Sequence, residues 1–129
     1  MIRLWLDIGA SRADEHGYGC GGGIGALLRF CLVQMVAFPY GTLSVNVIGS
    51  FLMGLAFAYF AGRLSEIAPL FLMAGIFGGF TTFSAFSLDL LKLLDTGRFG
   101  FALAYLCGSV LGALAAVFLG FIAMRAVSA

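Results

Sequence analysis

The chain has 129 residues, of which 62% are hydrophobic and only 10% charged, with a formal net charge of +1. A soluble domain carries about 25% charged residues, so this sequence, with a mean hydropathy of +1.09, lacks the polar groups to cover a water-facing fold. The near-zero net charge also excludes a basic nucleic-acid surface and an acidic tail.

Residues 1–17 read as a polar N-terminal segment to which the sequence assigns no element. It holds Arg3, Asp7, Arg12, Asp14 and Glu15, and its apolar patch (Ile2, Leu4, Trp5, Leu6, Ile8) is too short and too interrupted for a signal peptide or a span. Residues 18–129 read as one all-α membrane domain. A membrane helix needs about 20 mainly apolar residues, and Tyr18 to Phe38, Gly41 to Ala61, Ile67 to Leu88 and Phe99 to Met124 meet that length, the last three without a charge. The gaps hold breakers or polar clusters: Pro39 with Gly41, Arg63 with Ser65 and Glu66, and Lys92 through Asp95 to Arg98. Connections this short make consecutive helices antiparallel.

On the first span, Arg29 is an intramembrane charge. Such a group attracts an anion or lines a vestibule, or else it snorkels or satisfies backbone carbonyls at a helix break. On the second, Thr42, Asn46 and Ser50 recur every four residues and so share one face. Their amide and hydroxyls offer neutral donors to an ion or bond a neighbouring helix; the amide, the costliest to bury, favours function, and Ser50 favours packing.

The third span reads Gly75-Ile-Phe-Gly-Gly-Phe-Thr-Thr-Phe-Ser-Ala-Phe-Ser87. Gly78, Gly79, Thr81 and Thr82 are poor helix formers, and a helix break at membrane depth is tolerated only where it is buried in protein or lines a cavity. The break is expected near Gly78 to Thr81, where freed carbonyls face a cation and N–H groups an anion. Phe83 and Phe86, with Ser84 and Ser87, form i, i+3 pairs that set aromatic edges, the positive part of the ring quadrupole, beside hydroxyls. Taken alone, two Phe at this spacing usually face lipid or core. On the fourth span, Tyr105 and Ser109 lie one turn apart.

Glycine is 19 of the 129 residues. Gly19/Gly23, Gly21/Gly25, Gly22/Ala26, Gly75/Gly79, Gly108/Gly112 and Gly112/Ala116 fall at small-xxx-small spacing, the pattern by which membrane helices approach closely and associate. Cys20, Cys31 and Cys107 show no metal or redox spacing and read as buried small residues. Lys and Arg near the span ends divide into Arg3, Arg12, Arg63 and Arg125 on one side and Lys92 and Arg98 on the other, a bias weak enough to permit insertion both ways. No nucleophile with a base, no metal-ligand spacing and no phosphate loop is present, so the chain does not read as an enzyme.

Four blocks in order, Gly22-Gly-Ile-Gly-Ala-Leu-Leu-Arg29-Phe30, Gly41-Thr-Leu-Ser-Val-Asn46-Val-Ile-Gly-Ser50, the Gly75 to Ser87 stretch and Tyr105-Leu-Cys-Gly-Ser109, resemble the Fluc (CrcB) fluoride channels. The resemblance implies a dual-topology homodimer of antiparallel four-helix subunits, or a paralogue pair, with two pores. It also implies a central structural sodium ion, not transported, held by the backbone carbonyls of Gly78 and Thr81 of both subunits. Phe83 and Phe86 would line the fluoride path across the dimer, Asn46 would donate near the pore, and Ser84, Tyr105 and Ser109 would belong to a polar track. Arg29 would sit near the anion path in a vestibule or structural role. A passive channel of this kind in a bacterial inner membrane lets fluoride leave down its gradient and lowers its toxicity. The family's first span normally begins well before the Gly-Gly block, a stretch that Arg12 to His16 interrupts here. Two rival readings are a small multidrug-type transporter, which needs an embedded carboxylate in its first span that is absent, and a structural membrane subunit, in which Phe83 and Phe86 simply face lipid.

Overall fold

The computed structural model describes residues 12–63 and 67–129. The apolar patch at Ile2 to Ile8, Arg3, Asp7, and the Ser65 and Glu66 part of the second connection lie outside the described residues.

Helix α1 spans Arg12–Met35 and therefore starts six residues before the expected Tyr18. The charged stretch is no interruption, because Arg, Ala and Glu are good helix formers. Helix α2 spans Tyr40–Phe60 and is closed by Gly62, whose φ of +81° only glycine adopts freely. Helix α3 covers residues 67–80, with its middle, Leu70–Phe77, widened to π-helical hydrogen bonding. Thr81 and Thr82 then turn extended, with ψ of 154° and 121°. Helix α4, Phe83–Asp95, continues the same span, and Gly97 at φ +75° ends it. Helix α5 runs over Phe99–Ser128. The expected break thus falls at Thr81 and Thr82, one residue after the two glycines. The third span ends at Asp95 rather than Leu88, which carries Asp89 and Lys92 inside a helix.

By length and composition three helical stretches, Tyr40–Phe60, Ile67–Asp95 and Phe99–Ser128, can cross a membrane. The expected fourth span, α1, is not among them, since five glycines between Gly19 and Gly25 together with Arg29 and Gln34 dilute its hydropathy. It is still the fourth helix of the bundle, packed along α3.

Glycine decides which helices touch. A methyl group on Gly25 would overlap the Ile76 carbonyl, one on Gly79 would overlap the Gly22 carbonyl, and Gly21 lies against Gly75, so α1 and α3 meet backbone to backbone. On the other side of the bundle, a methyl on Gly54 would overlap the Val117 carbonyl, and one on Gly120 the Phe51 carbonyl. Residue numbers rise together along both contacts, from Gly21 with Gly75 to Gly25 with Ile76 and Phe80, and from Val47 with Gly112 to Gly54 with Val117. Both pairs are therefore parallel, as alternate helices must be when consecutive ones are antiparallel. Gly54 and Gly120 are absent from the expected small-residue pairs, whereas Gly19, Gly23 and Gly108, which belong to them, face open space.

Cationic side chains lie over aromatic rings at both ends of the bundle. Arg63 stacks 4.0 Å above Tyr59 and Arg125 lies 5.4 Å from Phe121 at one end; Arg98 lies 4.5 Å from Phe101 and Lys92 5.7 Å from Phe38 at the other. This is the arrangement of long cations reaching the two membrane interfaces. Between them Leu103, Leu111, Leu114, Phe118, Leu119 and Ile122 of α5 point outward, which water would penalise and hydrocarbon does not. Cys20, Cys31 and Cys107 also lie on the outer surface, contrary to the expectation of burial, because each sits on the side of its helix away from the glycine contacts.

Gly120→Ala is expected to destabilise the protein by about 1–3 kcal/mol through overpacking against backbone that cannot yield. Gly108→Ala, into open space, is expected to be neutral or slightly stabilising; thermal unfolding in detergent measures both.

Candidate functional site

The site is built around the extended pair Thr81 and Thr82. A continuous helix would send the Thr82 N–H to the Gly78 carbonyl and the Ala85 N–H to the Thr81 carbonyl. Instead Thr82 N–H donates to Asn46 Oδ1 at 2.7 Å, and Ala85 N–H donates to Thr82 Oγ1 at 3.2 Å. Asn46 Nδ2 in turn donates to the Thr82 carbonyl at 3.0 Å. The Asn46 amide therefore reads the Thr82 peptide on both sides, as a neighbouring strand would, and the Gly78 and Thr81 carbonyls lose the donors that a continuous helix gives them. Gly49 on α2 makes the close approach possible, since a side chain there would collide with Thr81 and the Phe80 ring.

Beside the break lies an open groove of about 630 Å³ between α2, the third span and α5. Its polar wall consists of Asn46, Ser50, Gly78, Thr81, Thr82 and Ser109, and its apolar wall includes Phe83, Phe86, Met53, Val110 and Leu114. None of the described residues that line it is charged. The Ser109 hydroxyl is buried, at 5% residue exposure, and has no hydrogen-bond partner among the described residues; it lies one helical turn from Tyr105, between the groove wall and the body of the bundle. Phe86 is 5% exposed and packs on Tyr105, with ring centroids 5.5 Å apart. Phe83 is 77% exposed at the edge of the groove, 5.5 Å from Phe86. Such a surface offers an amide, hydroxyls and aromatic edges, which are neutral groups able to replace part of an anion's hydration shell.

The structure thus gathers Asn46, Gly78, Thr81, Phe83, Phe86 and Ser109 around one groove. Ser84 stands just outside it, exposed, with its hydroxyl 3.2 Å from Thr82 Oγ1. Arg29 is half-buried on α1, away from the groove, and makes no hydrogen bond or ion pair among the described residues. Tyr105 is turned the other way, toward a carboxylate.

That carboxylate, Asp89, did not stand out in the sequence. It is 7% exposed and accepts from Thr42 Oγ1 at 2.6 Å and from the Tyr105 hydroxyl at 3.5 Å, both on Oδ2, while Lys92 Nζ lies 3.8 Å from Oδ1. The available signal was its charge beside a span; a third span expected to stop at Leu88 places it outside the membrane, whereas the helix that runs to Asp95 places it inside. The three polar positions of α2 consequently divide their work: Thr42 serves Asp89, Asn46 serves the break and Ser50 faces the groove.

Thr42→Val removes the shorter hydrogen bond to a buried charge and is expected to lower stability by about 1.5–3 kcal/mol. Thr42→Ser, which keeps the donor, is expected to retain most of it; unfolding in detergent compares the two.

The chain is similar to known proteins over most of its length. Residues 17–121 match the family described as "CrcB-like protein, Camphor Resistance (CrcB)". A protein of Rhodopseudomonas palustris (strain BisB5) named "Fluoride-specific ion channel FluC" is 47% identical over 116 residues, covering 84% of this chain and 94% of the relative. Proteins of the same name in Magnetococcus marinus and Mesorhizobium japonicum are 46% and 49% identical, over 81% and 78% of this chain and 92% and 86% of their own lengths. A match spanning the glycine block of α1, the break and the groove leads to one conclusion: the chain belongs to the CrcB-like family, a family of ion channels rather than enzymes.

Proposed function

We propose that this protein is a fluoride-selective passive channel that works as an antiparallel homodimer with two pores and lets fluoride leave the cytoplasm across a bacterial inner membrane. The observation that carries the reading is the groove, which brings together the buried Ser109, without a hydrogen-bond partner among the described residues, Asn46 at the break and the Phe83 and Phe86 rings. Fluoride is small and strongly hydrated, so a path for it must supply several donors yet hold it weakly. Neutral donors satisfy both needs, whereas a cationic side chain in direct contact would hold the ion too tightly. The names of the relatives support the choice of ion.

A second protomer completes this picture. Phe83 is large, apolar and 77% exposed beside a groove with one open side, and a copy inserted the opposite way would cover both. The balance of Lys and Arg between the two ends permits that insertion. At the break, the donor set suits a sodium ion: the Gly78 and Thr81 carbonyls are neutral oxygens without their helical N–H donors, and the groove brings no carboxylate that would favour a divalent cation. Gly78 and Thr81 of the two subunits would hold it, and it would supply fixed positive charge and a cross-link at the dimer centre. Along the fluoride path, Asn46 and Ser109 donate, Phe83 and Phe86 present ring edges, and Ser84 and Tyr105 extend the polar surface at its margins. Arg29 adds positive potential from α1, outside the groove.

In proteoliposomes holding the purified protein, fluoride is expected to leave without a proton or sodium gradient while chloride stays. Equal rates for both ions, or none for either, would refute the channel. Phe83→Ile, which removes the ring edges, and Asn46→Asp, which sets a negative charge at the groove, are each expected to cut fluoride flux by about tenfold or more, the kinetic equivalent of roughly 1.4 kcal/mol. The dimer should still form in both, as size-exclusion chromatography can read; unchanged flux in both variants would move the path elsewhere.

A further inference from the structure

The two N–H groups withheld from the Gly78 and Thr81 carbonyls are held by different side chains, and this division assigns a role beyond donating to an anion. Asn46 Oδ1 holds the Thr82 N–H and Thr82 Oγ1 holds the Ala85 N–H. Both N–H groups lie at membrane depth, where an unsatisfied N–H is costly and seeks the nearest acceptor. For each, that acceptor in a healed helix is one of the two carbonyls in question.

We propose that Asn46 and Thr82 are positioning residues for an alkali-cation site at the break: each takes one backbone N–H onto its side chain and so keeps one carbonyl, of Gly78 or Thr81, free to bind the cation. The idea rests on the reading that sodium binds there. Asn46 thereby couples the two ion sites, since its Oδ1 guards the cation ligand while its amide N–H groups hold the Thr82 carbonyl and face the groove. Gly49 belongs to the same device. It lets Thr81 and Phe80 press against α2, the position in which Thr82 reaches Asn46 and is out of line with the helix that would reclaim it. Without the Oδ1 acceptor the Thr82 N–H returns to Gly78, the break closes and the carbonyl is lost to the cation.

The test is thermal unfolding of the purified full-length protein in sodium chloride and in N-methyl-D-glucamine chloride. The unmodified chain is expected to melt about 5 °C or more higher in sodium at saturating concentration. Asn46→Ala is expected to lose this increment, and Thr82→Val, which keeps the backbone contacts to Asn46 but frees the Ala85 N–H, to lose at least half of it. Ser44→Ala, on the same helix but bonded to its own Tyr40 carbonyl, is expected to keep it. A merely structural role lowers melting equally in both salts, so an unchanged sodium increment in Asn46→Ala would overturn the proposal while leaving the cation site standing. If Asn46→Ala does not fold, Thr82→Val decides by the same increment. Absence of any increment in the unmodified chain would overturn the cation reading and the proposal with it.

Discussion

Backbone N–H and C=O groups have no water to turn to inside a membrane, and that constraint organises this protein. Helix formation solves most of the problem, but the third span breaks at Thr81 and Thr82, and the freed groups need other partners. The Asn46 amide oxygen takes the Thr82 N–H and the Thr82 hydroxyl takes the Ala85 N–H, while the Asn46 amide N–H adds a bond to the Thr82 carbonyl. Asn46 can reach only because α2 lies close to the break, and α2 lies close because Gly49 has no side chain. The polar residue and the small residue are thus one solution: the glycine sets the distance and the amide satisfies the backbone that the distance exposes.

The same constraint explains why glycine rather than leucine holds the helices together. Hydrocarbon solvates apolar side chains as well as a protein core does, so burying them drives nothing, and close backbone contact has to supply the association. The two glycine contacts, α1 with α3 and α2 with α5, fix the two flanks of the bundle. They leave the break and the groove between them, on a frame of tight backbone contacts. A groove lined by neutral donors needs such a frame, because donors worth about 1 kcal/mol each act on an ion only when they are held in place beforehand.

Much of this was legible in the sequence, and the limits have physical causes. The i, i+4 repeat of Thr42, Asn46 and Ser50 placed them on one face, and the Gly78, Gly79, Thr81, Thr82 run located the break to within a residue or two, because both depend on local geometry and propensity. The tightest helix contact was not legible: Gly54 and Gly120 each press on carbonyls of the facing helix, and no spacing within either helix reveals which glycine meets a backbone. Conversely, Gly19, Gly23 and Gly108 have the right spacing and touch nothing within the chain. The start of α1 was missed because charge was taken as interruption, although charged residues such as Arg and Glu form helix readily. Asp89 was missed through the span's end, since a helix boundary wrong by two turns moves a carboxylate from water into the bundle.

Asp89 also shows how the protein tolerates charge while keeping it from the groove. A buried carboxylate persists when donors surround it, and Thr42, Tyr105 and Lys92 converge on it. Tyr105 links the two regions: its ring packs on Phe86, a groove wall, while its hydroxyl turns to Asp89. Phe86 is therefore backed by a residue whose hydroxyl turns to the carboxylate. One side chain thus spans from the buried charge to a wall of the groove, and the charge itself is taken up by Thr42, Tyr105 and Lys92 rather than by the residues that line the groove.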